Sequence, residues 1–343
     1  MKSYQDLNIS PRILLGPGPS MVAPRVLNAL STPVIGHLDP EFLALMQEVQ
    51  ELLRFVFQTE NELTVPVSGT GSAGMEASLC NFIEPGDNVL VAVLGYFGER
   101  LVEMAGRYGA QVDRIDRPWG EVFDPDEVKT ALNKKKYKLL ALVHAETSTG
   151  VLQPGIAEIA AAAHQNETLV VLDTVTSLGG LPVEIDAWGV DVAFSATQKS
   201  ISAPPGLAPV TISPRAREVL RNRSTPVRNW YLDLSLLGKY WGSERTYHHT
   251  APIYSNYALR ETLRMVAEEG LEARFERHRA NAKVLWAGLG DLDISLLVPE
   301  ENRLPTLTTA IVPPGVDALE IRQQLLNDYN LEIAGGFGPL AGQ

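Results

Sequence analysis

The sequence contains very little cysteine and lacks long apolar stretches. Its 343 residues include a single cysteine, Cys80, which excludes an internal disulfide and a cysteine-based metal site. No uninterrupted apolar run reaches about 18 residues, so a transmembrane helix is not expected. Residues 1–6 lack the apolar core of a signal peptide. These absences predict a soluble protein of the cytoplasm.

Basic residues are also scarce. The chain has 29 Lys and Arg against 41 Asp and Glu, a formal net charge of −12. This balance disfavours nucleic acid or an anionic membrane as the main partner. The hydrophobic fraction of 45% and the charged fraction of 20% are ordinary for a globular chain long enough for a large and a smaller domain.

Short apolar runs alternate with helix-like segments through most of the chain. The predicted strands cover residues 63–67, 88–94, 111–115, 139–144, 169–173, 192–195 and 209–212. Several are continuously apolar, as expected for parallel strands that are covered on both faces. The pattern predicts an α/β fold in which a mostly parallel seven-stranded sheet is flanked by helices.

Two kinds of signal predict the helices. A one-sided apolar stripe predicts a helix that stops at the turn of residues 85–87; it is formed by Met75, Leu79, Phe82 and Ile83. Capping residues predict further helices that begin after Asp124, Ser213 and Asp317.

The pattern changes after residue 251. Two long helices are predicted at 254–269 and 271–289, followed by a strand at 306–312 and a helix at 317–329. We therefore predict an N-terminal arm (1–20), a large domain (21–251) and a smaller C-terminal α/β domain (252–343).

Residues 68–76, with the sequence Ser-Gly-Thr-Gly-Ser-Ala-Gly-Met-Glu, join a predicted strand to a helix. Small residues expose backbone N–H groups at a helix start, where the dipole also favours an anion. The spacing matches neither a dinucleotide fingerprint nor a P-loop, so a single phosphate is the better ligand. The alternative is a glycine-rich turn that only lets the chain bend.

Asp173 ends a buried strand, a position at which open α/β sheets bind ligands. Its carboxylate could pair with a protonated ring nitrogen. The alternative is that Asp173 only caps the turn that follows.

Lys199 follows the predicted strand at 192–195 and precedes the constrained segment Ala-Pro-Pro-Gly at 203–206. Small, apolar surroundings desolvate a lysine and lower its pKa, as Schiff-base chemistry requires, although most lysines lie on solvated surfaces. The separation from Asp173 leaves room for one connection and one strand, which would bring both residues to the same sheet edge. An aldehyde carbon at Lys199, a ring nitrogen at Asp173 and a phosphate at residues 68–74 would then form one site.

Six segments together resemble a known family: residues 15–20, 68–76, 146–154, 173–180, 198–206 and 247–252. They resemble the class V aminotransferases of pyridoxal 5′-phosphate (PLP) fold type I, most closely the alanine–glyoxylate and serine–pyruvate aminotransferase group. The resemblance covers nearly the whole chain. It implies transfer of the amino group of alanine or serine to glyoxylate or pyruvate by a ping-pong mechanism.

The resemblance also implies roles for individual residues. Lys199 would hold PLP as a Schiff base and Asp173 would pair with its ring nitrogen. Phe97 would stack on the ring, where the family often has tryptophan. The remaining cofactor contacts implied are Gly71, Ser72 and Ala73 with Gln198 at the phosphate, Thr147 beside the ring, and Tyr247 and Thr250 at the phosphate of a homodimer partner.

One expected element is missing from this sequence. The family places an arginine for the substrate carboxylate soon after a segment like residues 335–339, whereas this chain stops at Gln343. We expect that the native protein is longer and that the small domain is incomplete, so we assign no residue to this role.

Two other functions are possible on the residues alone. Cysteine desulfuration on the same fold needs a mobile cysteine, whereas Cys80 falls within a predicted helix. A non-enzymatic phospholigand-binding protein would use Lys199 only to contact an anion. His248 and His249 lack accompanying ligands, so we predict a structural role for them near the dimer interface and no metal site.

Overall fold

The computed structural model describes residues 4–342. The strands are β1 (Ile13–Leu14), β2 (Leu63–Ser68), β3 (Asn88–Val93), β4 (Gln111–Asp116), β5 (Leu139–Val143), β6 (Ala145–Glu146), β7 (Val151–Leu152), β8 (Leu169–Asp173), β9 (Val192–Phe194), β10 (Leu207–Ile212) and β11 (Leu331–Glu332). The helices are α1 (Pro24–Ala29), α2 (Pro40–Phe57), α3 (Gly71–Cys80), α4 (Tyr96–Arg107), α5 (Pro125–Leu132), α6 (Ile156–Gln165), α7 (Ile185–Trp188), α8 (Pro214–Arg221), α9 (Leu234–Trp241), α10 (Ile253–Glu269), α11 (Leu271–Asp291) and α12 (Ala318–Tyr329).

A seven-stranded sheet forms the centre of the fold, in the order β2-β10-β9-β8-β5-β3-β4. Strand β10 runs antiparallel to both of its neighbours, and the other strands share one direction. All the predicted strands of this sheet are present within two residues of their expected bounds. The predicted α/β class and the mostly parallel sheet are confirmed.

Strands β5 and β8 are buried along their whole length. Helices cover both faces of such a sheet, which explains why these strands read as continuous apolar runs instead of an alternating pattern. The shared direction of six strands has a further consequence. The carboxyl ends of β2, β3, β5, β8 and β9 meet at one edge, where open α/β sheets bind ligands.

The predicted helix caps are present, but one helix is shorter than its apolar stripe suggested. Asp124, Ser213 and Asp317 each accept a hydrogen bond from the first turn of α5, α8 and α12. Helix α3 ends at Cys80, before the predicted turn, although Phe82 and Ile83 are buried. The Asn81 side chain donates to the carbonyls of Ala77 and Leu232, both at 2.8 Å, and so ties the chain into a turn at this point.

The C-terminal part differs from the prediction at one strand. Helices α10 and α11 meet at Gly270, whose φ of +82° breaks the helix as expected. The predicted strand at 306–312 is wrong, because this segment forms only an isolated bridge between Leu296 and Ala310. The partner segment bends at residues 297–298, so the pairing does not lengthen into a strand.

Contacts cross the predicted domain boundaries. Strand β11 pairs with β1, which belongs to the predicted N-terminal arm, and α10 packs on α1 and α2. The Tyr257 hydroxyl in α10 donates to the Pro33 carbonyl at 3.2 Å. The division into 1–20, 21–251 and 252–343 stays a prediction. Within residues 4–342, no helix is both long and apolar enough to span a bilayer.

Candidate active site

Asp173 and Lys199 come to the same edge of the sheet. Asp173 is the last residue of β8 and is in register with Phe194 at the end of the parallel neighbour β9. The Thr174 amide donates to the Phe194 carbonyl at 2.9 Å, which holds the two strand ends together. Lys199 lies on the loop that leaves β9, and its charge interacts with that of Asp173.

Asp173 is a nearly fully buried carboxylate. It is 2% exposed, and one of its oxygens accepts a hydrogen bond from the Val175 amide at 2.8 Å. Burial disfavours the charged form and raises the pKa of Asp173 to about 7. A positively charged partner in the site would restore its charged form.

The Lys199 amine lies in a confined space against the N-terminal segment. Its Nζ donates to the Pro17 carbonyl. A Cβ atom on Gly18 would lie 2.7 Å from the Lys199 Cδ, and Gly18 has a φ of +110°, so only glycine fits there. Burial lowers the pKa of Lys199, while the nearby Asp173 acts in the opposite direction. A desolvated amine of this kind is suited to condensation with an aldehyde.

The turn after β2 offers backbone N–H groups to an anion. Helix α3 begins at Gly71, and its N-cap residue Thr70 makes no side-chain capping bond. A Cβ atom on Gly71 would lie 2.8 Å from the Ala196 Cβ, so glycine lets this turn reach the loop that carries Lys199. On that loop, the buried Oε1 of Gln198 has no hydrogen-bond partner within the described residues, which leaves it available to a ligand.

Phe97 is fixed by the start of helix α4. The Tyr96 amide donates to the Ser148 hydroxyl at 2.9 Å, and the Phe97 amide donates to the Glu146 carboxylate at 3.4 Å. Glu146 also accepts from the Gly98 amide and is fully buried, so burial raises its pKa. Side chains at and just after the end of β6 therefore cap α4 and hold the half-buried Phe97 at the site edge.

Thr147 joins the loops that follow β5 and β8. It is 7% exposed, and its hydroxyl shares a hydrogen bond with the Thr176 hydroxyl. Thr147 therefore lies against the loop that follows Asp173, while its expected contact with a cofactor ring stays a prediction.

Tyr247 and Thr250 lie on the surface of the chain. Tyr247 is 58% exposed, and no hydrogen bond joins either side chain to residues 69–73 within the part of the chain described. Between them, the His249 Nε2 bonds the Ser68 hydroxyl at 2.7 Å, and its Nδ1 bonds the His248 Nδ1 at 2.8 Å. This segment is therefore anchored beside the phosphate turn of its own subunit, with Tyr247 and Thr250 facing outward.

The arrangement suits a phosphorylated aromatic aldehyde. One sheet edge holds a desolvated amine, a buried carboxylate that lacks a full counter-charge, an anion turn and a half-buried aromatic ring. PLP requires these contacts at its aldehyde, ring nitrogen, phosphate and ring face. Among residues 4–342 no group of three or more His, Cys, Asp or Glu residues could hold a metal ion.

Comparisons with known proteins agree with this chemistry. The family model for aminotransferase class-V matches residues 14–338. This chain is a class-V aminotransferase. It is 40% identical to the (S)-ureidoglycine–glyoxylate transaminase of Bacillus subtilis, over 100% of this chain and 86% of that protein. It is 42% identical to the alanine–glyoxylate aminotransferase of Rattus norvegicus, over 98% of this chain and 82% of that protein.

A solved structure extends the likeness to three dimensions. The alanine–glyoxylate aminotransferase of Nostoc sp. superposes with a TM-score of 0.98 at 56% identity, covering 99% of this chain and 90% of that one. The aminotransferase thus has PLP fold type I, and PLP is its cofactor. Cys80, the residue that desulfuration would need, is 1% exposed, and burial raises its pKa to about 12, so it is not a reactive thiolate.

Arg100 is a side chain of the site that the sequence did not predict. The Arg100 guanidinium carbon lies 5.1 Å from the centre of the Phe97 ring and 5.2 Å from that of Tyr96. Its Nη1 donates to the Ser72 hydroxyl at 3.3 Å, in the phosphate turn. The three-residue spacing between Phe97 and Arg100 on one helix could have indicated that both face the same side.

Glu146 was overlooked for another reason. It belongs to a segment that carried the family resemblance, yet no role was assigned to it. Like Asp173, it is an acid at the carboxyl end of a buried strand, which was the available signal.

Proposed function

We propose that this aminotransferase moves the amino group of a small amino acid, alanine or serine, to glyoxylate or pyruvate in two half-reactions. The observation that carries the proposal is the placement of Lys199 and Asp173 at one edge of the sheet, beside the turn at Gly71. This placement matches the three chemically distinct ends of PLP.

Lys199 and Asp173 have separate tasks in this proposal. PLP, when bound, supplies the electron sink that makes the Cα proton of an amino acid removable. The Lys199 Nζ takes that proton and later returns one, since its burial keeps it from being held permanently charged. The Asp173 carboxylate keeps the ring nitrogen protonated, and that positive charge in turn favours the ionised carboxylate.

The other predicted residues hold the cofactor in place. The backbone N–H groups of Gly71, Ser72 and Ala73 bind the phosphate at the start of α3. Gln198 on the facing loop donates to it through its side-chain amide N–H. Phe97 covers one face of the ring and limits the entry of water. Thr147 supplies a hydroxyl near the Asp173 side of the ring.

The choice of substrates is supported by the relatives. The proteins from Rattus norvegicus and Nostoc sp. are named for alanine and glyoxylate, and the Bacillus subtilis protein for ureidoglycine and glyoxylate. Glyoxylate is common to all three names, so we propose it as the acceptor. Ureidoglycine is a second candidate donor on the basis of the Bacillus subtilis relative alone.

We further propose that the enzyme works as a homodimer in which Tyr247 and Thr250 reach the phosphate of the partner's cofactor. Their exposure supports this, since both are free to contact a second chain. Members of this family typically form dimers.

A half-reaction assay tests the proposed reaction. The purified holoenzyme is mixed with one amino acid and no acceptor. The moles of keto acid released per mole of enzyme are then measured. Alanine and serine should each release close to one equivalent, and glyoxylate should then restore the starting spectrum and yield glycine. Release with ureidoglycine only would support the second donor, and no keto acid from any donor would refute the proposal.

A further inference from the structure

A buried arginine from helix α11 contacts both loops that carry the proposed chemistry. Arg274 is 8% exposed and lies in the first turn of α11, just after the break at Gly270. Its Nε donates to the Gly179 carbonyl at 2.6 Å, on the loop that follows Asp173. Its Nη2 donates to the Ser200 carbonyl at 2.8 Å, one residue after Lys199.

The two loops touch directly where Arg274 binds them. A Cβ atom on Gly180 would lie 3.0 Å from the Ser200 Cβ, so even a methyl group would push the loops apart. The Ser200 hydroxyl donates to the Thr176 carbonyl at 3.1 Å. The Thr306 hydroxyl donates to the same carbonyl at 2.9 Å. The loop that carries Lys199 is thus packed against the loop that leaves Asp173.

Arginine is chemically suited to fix this junction. Its planar guanidinium presents Nε–H and Nη2–H side by side, so two carbonyl oxygens that bind them acquire a fixed separation. A lysine ammonium is a point charge on a flexible stem and cannot impose that geometry. The Glu269 carboxylate balances the buried charge, because it accepts from the Arg274 Nη1 at 2.9 Å.

We propose that Arg274 is a positioning residue that locks the Lys199 loop to the Asp173 loop and thereby sets the distance between the Lys199 amine and the Asp173 carboxylate. The inference rests on the proposed roles of Lys199 and Asp173. Arg274, which lies beyond the predicted boundary at 251, then contributes to the geometry of a site whose other residues precede that boundary.

The neighbouring Arg277 provides a matched control. It also binds Glu269, through its Nε and its Nη2, and it is more exposed than Arg274. No hydrogen bond joins Arg277 to either loop within residues 4–342. Replacing Arg277 removes an ion pair with the same carboxylate and leaves the loop junction intact.

The test compares Arg274→Met, Arg274→Lys and Arg277→Met as holoenzymes. The first readout is the pH midpoint of the visible absorbance change of the bound cofactor, which reports proton binding at its link to Lys199. In Arg274→Met this midpoint should fall by about half a pH unit or more, because the amine moves away from the Asp173 charge. The turnover number should fall about 10- to 100-fold, as for a misplaced catalytic group, with little change in KM. Arg274→Lys should show a smaller fall in both, and Arg277→Met should match the wild type.

The outcomes separate this inference from the proposed function. If Arg274→Met fails to fold, Arg274→Lys serves instead. It keeps the positive charge near Glu269 but loses the paired Nε–H and Nη2–H donors, so the pH midpoint of its absorbance change tests the inference. A midpoint that stays at the wild-type value or rises in the folded Arg274 variants, whatever their melting temperature, would overturn the inference. Wild-type enzyme without any absorbance band linked to Lys199 would instead overturn the proposed function, and the inference with it.

Discussion

The candidate site has a buried floor, formed by Asp173, Lys199 and their loops, and an exposed rim, formed by Tyr96, Tyr247, Thr250 and Phe337. The two parts differ in burial and in hydrogen bonding. On the floor, Asp173 is 2% exposed, and its loop and that of Lys199 are held by hydrogen bonds to fixed backbone groups. On the rim, Tyr247 is 58% exposed and its ring lies 5.3 Å from that of His37. Tyr96 and Phe337 stack at 5.9 Å and are 39% and 40% exposed.

The difference between floor and rim matches two functions, proton transfer and binding. Groups that transfer protons need fixed positions and altered pKa values, which burial and dense hydrogen bonding on the floor provide. Exposed aromatic rings on the rim are suited to contact with a substrate or with a second chain. Changes on the floor should therefore alter the rate of chemistry, and changes on the rim should alter binding.

Removal of the Lys199 amine should have the largest effect. Lys199→Ala should lower turnover by about 10⁴-fold, because both the covalent link and the proton carrier disappear. Steady-state rates with alanine and glyoxylate measure this loss. Lys239→Ala, at an exposed lysine of α9, should behave like the wild type. Substantial turnover in Lys199→Ala would place the chemistry elsewhere.

Loss of the Asp173 charge should come next. Asp173→Asn should lower turnover by about 10²- to 10³-fold, which corresponds to the cost of breaking a buried charge pair of about 3–4 kcal/mol. Asp191, also 2% exposed but located before β9 at the opposite edge of the sheet, supplies the control. Asp191→Asn should lower the melting temperature and leave the turnover number near normal. Equal losses of turnover in both variants would mean that the loss of any buried aspartate lowers turnover, and that Asp173 has no specific role in the reaction.

The pH dependence of apoprotein stability tests the burial of Asp173. Its carboxyl keeps a proton up to about pH 7 in the folded apoprotein and loses it near pH 4 when unfolded. The stability from this group is therefore complete below about pH 4 and is lost as the pH rises through 7. The free energy of unfolding of wild type minus that of Asp173→Asn should fall by on the order of 2 kcal/mol between pH 5 and 8.

The free energy of unfolding is compared between wild type and Asp173→Asn because other groups change the stability with pH in the opposite direction. Burial lowers the pKa of His144 to about 4, so its contribution is lost as the pH falls below about 6.5. The contribution is present in both proteins and cancels in the difference. Urea unfolding of the two apoproteins at several pH values measures this difference in the free energy of unfolding. A difference that does not change with pH would show that the pKa of Asp173 is not raised.

Changes on the rim should have the smallest effect. Tyr247→Phe and Thr250→Val should each weaken PLP binding by about 10-fold, the value of one hydrogen bond to a charged phosphate. Titration of the apoprotein with PLP, followed by absorbance, measures the affinity. Tyr254→Phe removes a hydroxyl from another exposed tyrosine, on α10, and should leave the affinity unchanged. A turnover loss at saturating PLP in Tyr247→Phe would contradict the division between floor and rim.

The floor could be predicted from the sequence because its signals are local. Apolar runs indicate the strands, and the acid that ends β8 and the lysine that follows β9 can be read from the chain itself. The strand predicted at 306–312 is wrong because strand formation also depends on the partner segment, which here gives a single bridge at Leu296. Helix α3 ended early because the Asn81 side chain bonds to Leu232, a contact that local periodicity does not show.

Arg274 could not be found in the sequence at all. Its partners are backbone carbonyls of Gly179 and Ser200, which carry no side-chain signature, and they are distant along the chain. The rim residues Tyr247 and Thr250 are a different case, since their roles came from the family resemblance and depend on a second subunit.

The most direct test of the account is to find which lysine carries the cofactor. The purified holoenzyme is reduced with borohydride, digested, and its peptides are identified by mass spectrometry. If Lys199 carries the cofactor, the phosphopyridoxyl group should be attached to Lys199 at close to one equivalent per chain. Attachment to any other lysine, or no attachment in an active enzyme, would contradict it.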